Sequence, residues 1–159
     1  GTDAWAFDIP SDCITRFLDY CNQFDNNYLF QSKDPSRFLE FIGHPVMRKS
    51  VLCTTIETNT FYPDIVRNAP NTRKRAKAMQ KLANLGMRTY VTCEPLIQFD
   101  LPEMVELVRM CSPVQVNIGR NSRQDITLPE PTRNEVQALI TGLQRFTRVV
   151  VKSNAKCWI

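Results

Sequence analysis

The chain has 159 residues, 43% hydrophobic and 23% charged, enough to bury one sizeable core in a single domain over residues 1–159. Apolar runs such as Val149-Val150-Val151 fall far short of the roughly 20 residues a membrane span needs, and no signal segment opens the chain, so no membrane contact and a cytoplasmic location are expected. A net charge of +4 is mildly basic and does not by itself announce nucleic-acid binding.

Ser11, after Pro10, reads as the N-cap of a first helix whose Ile14, Phe17, Leu18, Cys21 and Phe24 recur at helical spacing. Asp25-Asn26-Asn27 marks a turn, and Tyr28 to Gln31 is a short apolar run suited to a buried strand that ends near Lys33. Asp34-Pro35 caps a short helix with Phe38, Phe41 and Ile42 on its buried face, and Gly43-His44-Pro45 ends it. Val51 to Glu57, rich in β-branched residues, is the second strand. The loop from Thr58 to Asn71 then carries Pro63 and Pro70, and loops of that length in compact domains are more often functional than idle.

Asn71 or Thr72 caps a basic helix that turns Ala76, Met79, Leu82 and Ala83 inward and stops at Gly86. Thr89 to Glu94 is the third strand. Asp100 caps a helix with Pro102 near its start and Met104, Val105 and Val108 on its core face, and Pro113 introduces a fourth strand, Val114 to Ile118. A second polar loop runs to Pro131, Thr132 caps a helix carrying Val136, Leu139, Ile140 and Leu143, and Arg148 to Lys152 is the fifth strand. Strands separated by helices imply parallel pairing through right-handed crossovers, which an open doubly wound sheet or a barrel would satisfy. Polar residues recur at strand C-terminal ends: Lys33, Glu57, Glu94, Asn117, and Lys152 with Asn154. They favour an α/β fold of the incomplete (β/α) barrel type, about five parallel strands with intervening helices, because barrels keep their sites on that rim.

Glu57 and Glu94 both end otherwise apolar strands, so they are candidates to face one another as acid, base or ligand-binding carboxylates; the alternative is a carboxylate that caps a helix or pairs with a lysine. Asn59, Asn117 and Asn154 suit a polar ligand or a turn, and Lys33 and Lys152 suit a carboxylate or phosphate or are simply solvated. Arg67, Arg73, Lys74, Arg75, Lys77 and Lys81 form the strongest basic cluster, mostly a solvated helix face, with Arg73 and Arg75 best placed to meet an anionic ligand. His44 falls at the opposite end of the barrel, which disfavours histidine catalysis. Cys13, Cys21, Cys53, Cys93, Cys111 and Cys157 are scattered, with no CxxC, and read as free thiols of a reducing compartment rather than as a zinc or iron–sulfur site. No GxGxxG, P-loop or HExxH occurs.

Several strings, taken in order, resemble one family. They are Tyr28-Leu29-Phe30-Gln31-Ser32-Lys33-Asp34-Pro35-Ser36-Arg37-Phe38, Thr54-Thr55-Ile56-Glu57-Thr58-Asn59, Ala69-Pro70 with Arg75-Ala76-Lys77-Ala78-Met79, and Cys93-Glu94-Pro95-Leu96. Val116-Asn117-Ile118-Gly119 and Leu128-Pro129-Glu130-Pro131 extend the likeness over nearly the whole chain. Together they resemble a phage-associated group of the radical S-adenosylmethionine (SAM) superfamily, similar to the DNA-repair photolyase-like proteins. The resemblance implies a partial (β/α)6 barrel in which a [4Fe–4S] cluster binds SAM and reduces it to an adenosyl radical. By that likeness Lys33, Glu57, Asn59, Arg75 and Glu94 line the SAM side of the rim, with Asn117 a further cofactor-binding candidate.

The family's CxxxCxxC loop has no counterpart here, and scattered cysteines do not reproduce its geometry, so no cluster is expected in this chain. The chain opens Gly1-Thr2-Asp3 and stops just past a strand-like run, and is read as a C-terminal portion, inactive alone. An open barrel edge leads us to expect a homo-oligomer. Two rival readings stand beside this one. One is a cluster-independent barrel enzyme using Glu57 and Glu94; the other is a non-catalytic module gripping an anionic ligand such as nucleic acid through Arg73, Arg75 and the adjoining lysines.

Overall fold

The computed structural model describes residues 3–62, 69–122 and 126–159. Gly1 and Thr2, and Pro63 and Arg67 of the long loop, lie outside the described residues. Helix α1 (Ser11–Asn22) leads into strand β1 (Tyr28–Ser32), a 3-10 turn (Pro35–Phe41) and the short helix α2 (Pro45–Arg48). Strand β2 (Ser50–Thr55), helix α3 (Thr72–Asn84), strand β3 (Arg88–Cys93), helix α4 (Leu101–Met110), strand β4 (Gln115–Ile118), helix α5 (Arg133–Gln144) and strand β5 (Arg148–Val151) follow. A final 3-10 segment covers Ser153–Trp158. No helix among the described residues is long and apolar enough to cross a membrane.

Caps explain where the longer helices begin. Asn71, Asp100 and Thr132 each accept a backbone N–H of the first turn, from Lys74, Glu103 and Glu135 respectively. At Thr132 the bond is reciprocated, because the Glu135 carboxylate accepts the Thr132 N–H at 2.7 Å. The same hydrogen bonds from Thr132 hold the Glu135 carboxyl below its ordinary range. Helix α3 stops where Gly86 takes φ +81°, a left-handed conformation that costs glycine nothing. At α1 the expectation fails: Pro10 occupies the cap position and Ser11 is the first helical residue. The Pro10 carbonyl accepts the Cys13 and Ile14 N–H groups, so no side-chain cap is made. Gly43-His44-Pro45 likewise does more than end a helix, since His44 Nδ1 accepts the Val46 N–H and starts α2.

The sheet order is β1-β2-β3-β4-β5, every pair parallel. This order decides between the two architectures that alternating strands and helices allow. A doubly wound sheet reverses direction at a switch point and carries helices on both faces. Right-handed crossovers between strands in unbroken sequence put every helix on one face. Leu52, Val91, Val116 and Ile118 therefore pack with Met79, Leu82, Met104, Leu107, Leu139 and Leu143 in a single core. The other face carries Gln31, Cys53, Tyr90, Gln115 and Arg148 in one lateral row, with Thr55, Thr92, Asn117 and Val150 in the next. Leu29 on that face is 53% exposed. Among the described residues β1 and β5 each pair on one side only, so the sheet is an α/β sheet of the barrel type that has not closed.

The N-terminal segment is stitched to the edge strand. Trp5 is buried among Phe30, Phe38 and Phe41, at ring-centroid distances of 5.2, 4.8 and 5.8 Å. The Asp3 carboxylate accepts the Trp5 N–H, the Ser32 hydroxyl and the Lys33 N–H at 2.9, 2.8 and 2.9 Å.

Candidate functional site

Three of the singled-out residues converge at the C-terminal end of β1 and β2. Glu57 lies two residues beyond β2, wholly buried, and each of its oxygens takes a cation: Oε1 from Lys33 Nζ at 3.0 Å, Oε2 from Arg75 Nη1 at 2.7 Å. Arg75 is also wholly buried. Its Nη1 donates to the Thr55 carbonyl at 2.9 Å and its Nε to the Pro70 carbonyl at 2.6 Å. A buried carboxylate is tolerable only when paired and hydrogen-bonded in this way. Arg75 thus departs from the expectation of a solvent-facing anion binder. Its helix position explains why: Arg75, Met79 and Leu82 stand at i, i+4 and i+7, on the stripe that α3 turns to the core. One donor, Arg75 Nη2, is buried without a hydrogen-bond partner among the described residues.

A second charged pair sits across the rim. Glu94, immediately after β3, reaches past β4 to bond Lys152, immediately after β5. The residue in between is Gly119, and a Cβ there would lie 2.7 Å from Glu94 Cδ. Glycine is required at 119 by the path of the Glu94 side chain, a role no local sequence signal announces. Gly119→Ala is expected to push Glu94 off Lys152. A double-mutant cycle with Glu94→Gln and Lys152→Met should give a coupling of about 0.2–1 kcal/mol for this part-exposed pair in the native background and none in the Gly119→Ala background.

The backbone holds both groups in place. Ladder-like bonds continue past the strand ends: Ile97 N–H to the Glu57 carbonyl at 2.9 Å, Leu96 N–H to Gly119 at 2.9 Å, and Lys152 N–H to Ile118 at 2.8 Å. Asn59 is drawn elsewhere. Its Oδ1 accepts the Asp100 N–H and its Nδ2 donates to Glu103, so it fastens the start of α4. Asn117 is half-buried on the helix-free face and accepts from Gln115 Nε2 at 2.8 Å. Asn154 donates to the Arg120 carbonyl. Beside Lys33 opens a pocket of about 290 Å3, walled by Asp3, Ala6, Phe7, Asp34 and Pro70. Asp3 and Gly119 are the rim-shaping residues that the sequence pattern did not single out.

The thiols are dispersed, with Cys13 and Cys157 exposed and Cys21, Cys53, Cys93 and Cys111 buried. Burial pushes Cys53 and Cys111 up to about 12 and raises Cys93 further, so these thiols are protonated at neutral pH. Among the described residues no three His, Cys, Asp or Glu side chains gather as a metal would need. A disulfide reagent should titrate the exposed Cys13 and Cys157 rapidly in the native protein, and Cys21, Cys53, Cys93 and Cys111 only after unfolding in denaturant. Prompt reaction of the buried four would contradict this packing. No family model, curated protein or solved structure matches the chain.

Proposed function

We propose that this α/β unit is a cofactor- and substrate-binding portion of a radical SAM-type protein, and that it lacks the iron–sulfur loop. A one-sided parallel sheet whose helix-free face ends in a polar C-terminal rim suits a small-molecule platform. The particular reading rests on the ordered strings that resemble the radical SAM group. The observation that best supports a carboxylate-bearing ligand is Lys33, whose side chain is 43% exposed and lines the pocket at the end of β1.

The described residues do not fit the cluster, since no three His, Cys, Asp or Glu side chains gather among them. They do fit SAM, a ligand with a carboxylate, an amine and ribose hydroxyls. Lys33 takes the carboxylate, and Arg75 supplies positive charge from beneath. Asn117 on the inner face offers a polar contact to the sugar. Glu94 Oε2 is held by Lys152, which leaves Oε1 for an amine. Glu57 is closed to solvent with both oxygens occupied, so it positions Lys33 and Arg75, and Asn59 positions α4. SAM supplies, when bound, the adenosyl group on which the family's chemistry depends.

Equilibrium dialysis with radiolabelled SAM tests the reading. Saturable binding is expected, weakened about tenfold by Lys33→Ala, the loss of a single charge-assisted hydrogen bond. Absence of saturable binding, or binding indifferent to Lys33 and Asn117, would sink it.

A further inference from the structure

Helix α3 carries five cations, Arg73, Lys74, Arg75, Lys77 and Lys81, and no acidic residue. The structure divides them. Arg73 is bonded to Glu103 and Arg75 is buried against Glu57, so the two arginines are unavailable. Lys74, Lys77 and Lys81 are exposed, and none has an ion pair or side-chain hydrogen bond among the described residues. At 100° per residue they fall within about 60° of one another, spaced about 4.5 and 6 Å along the axis. Leu85, the next residue on that stripe, lines a shallow pocket with Arg48, an exposed cation that is equally unpaired among the described residues. The row of positive charge therefore continues past the end of the helix.

Among the described residues nothing adjacent neutralises it. The flanking elements are the 3-10 turn Pro35–Phe41 and helix α4. Their acids are already engaged: Glu40 with Arg37, Glu103 with Arg73, and Glu106 with Arg109. A row of unscreened lysines at regular spacing is complementary to a linear polyanion. A membrane surface would need an outward apolar face, and α3 buries Ala76, Met79 and Leu82 in the core. A protein partner would need aromatic anchors, and the row has none. We infer that Lys74, Lys77, Lys81 and Arg48 bind the phosphate backbone of nucleic acid without reading its sequence. Lysine is a point charge suited to phosphate and carries no base-recognition geometry. This surface is separate from the rim, and variants in it leave Lys33, Glu94 and Asn117 intact.

Fluorescence anisotropy with a labelled mixed-sequence DNA duplex tests it. Four phosphate contacts give an expected slope of log K against log salt of about −3.6, a loss of roughly 150-fold between about 50 and 200 mM salt. The triple variant Lys74→Gln, Lys77→Gln, Lys81→Gln should reduce the slope by about 2.7 in magnitude and weaken binding more than tenfold at low salt. A control, Arg133→Gln, Arg145→Gln, Lys156→Gln, removes the same charge from exposed sites elsewhere and should keep the native slope. Thermal melts confirm that both variants are folded. Salt-insensitive or absent DNA binding overturns the inference, as does equal loss in the two triple variants. So does binding to phosphatidylserine vesicles or poly-glutamate in preference to DNA.

Discussion

Replacing Arg75 by methionine is expected to destabilise the protein by about 3–5 kcal/mol, a large part of the roughly 5–15 kcal/mol that holds a domain of this size folded. The reason is asymmetric. Arg75 and Glu57 are both removed from water, and the guanidinium spans the Glu57 carboxylate, the Thr55 carbonyl and the Pro70 carbonyl. Methionine fills much of the volume but leaves a buried carboxylate with only Lys33, which is free to turn towards solvent. Converting the pair together, Glu57→Leu with Arg75→Met, should recover most of the loss, since an apolar pair needs no desolvation offset. Urea midpoints at unchanged m-value measure both. A loss under about 1 kcal/mol for the single variant would mean that the ion pair is not buried as described. In the double variant Lys33 loses its carboxylate, so SAM binding should weaken even where stability returns. That separation of stability from binding is what a positioning role for Glu57 predicts.

Trp5→Ala is expected to cost a similar amount, about 3–5 kcal/mol, by a different route. The indole is 3% exposed and meets three aromatic rings from β1 and the 3-10 turn, so its removal leaves a cavity that rigid neighbours cannot close. The effect should reach the rim, because Trp5 anchors the segment whose Asp3 carboxylate holds Ser32 and the Lys33 backbone. Asp3→Ala separates the two contributions. It spares the core, costs about 1–3 kcal/mol, and should loosen Lys33 without the large drop in urea midpoint. Trp158, buried at 6% exposure at the other end of the chain, remains as the fluorescent reporter for both variants. Equal losses from Asp3→Ala and Trp5→Ala would show that the anchor is electrostatic and not a matter of packing.

Much of the architecture was legible in the residues because it is written locally. The caps Asn71, Asp100 and Thr132, the left-handed Gly86, and apolar residues at helical or strand spacing depend only on near neighbours, and they fall where the structure has them. Strand ends slipped by one or two residues, as at Glu57, which lies two residues beyond the end of β2. Ser11 misled for a related reason: a serine before a helical run caps only if its own backbone is extended, and there Pro10 takes that place. Lys33, Glu57, Glu94 and Lys152 of the polar strand-end pattern stand just beyond the C-terminal ends of their strands. The pattern did not show how the rim is wired.

Arg75 is the instructive case. A positive charge in the first turn of a basic helix suggests solvent, yet its spacing from Met79 and Leu82 already put it on the inward stripe. Periodicity outweighed charge because a carboxylate, Glu57, waited eighteen positions earlier in sequence. What the sequence alone determined is the set of elements, their parallel pairing and the gathering of Lys33, Glu57, Glu94 and Lys152 at strand ends, since each follows from local period and connection length. Only the tertiary structure decided the unbroken strand order that leaves one face without helices, the burial of Glu57 with Arg75, and the reach of Glu94 over Gly119 to Lys152. These depend on which distant groups meet in space, and no local period carries that information.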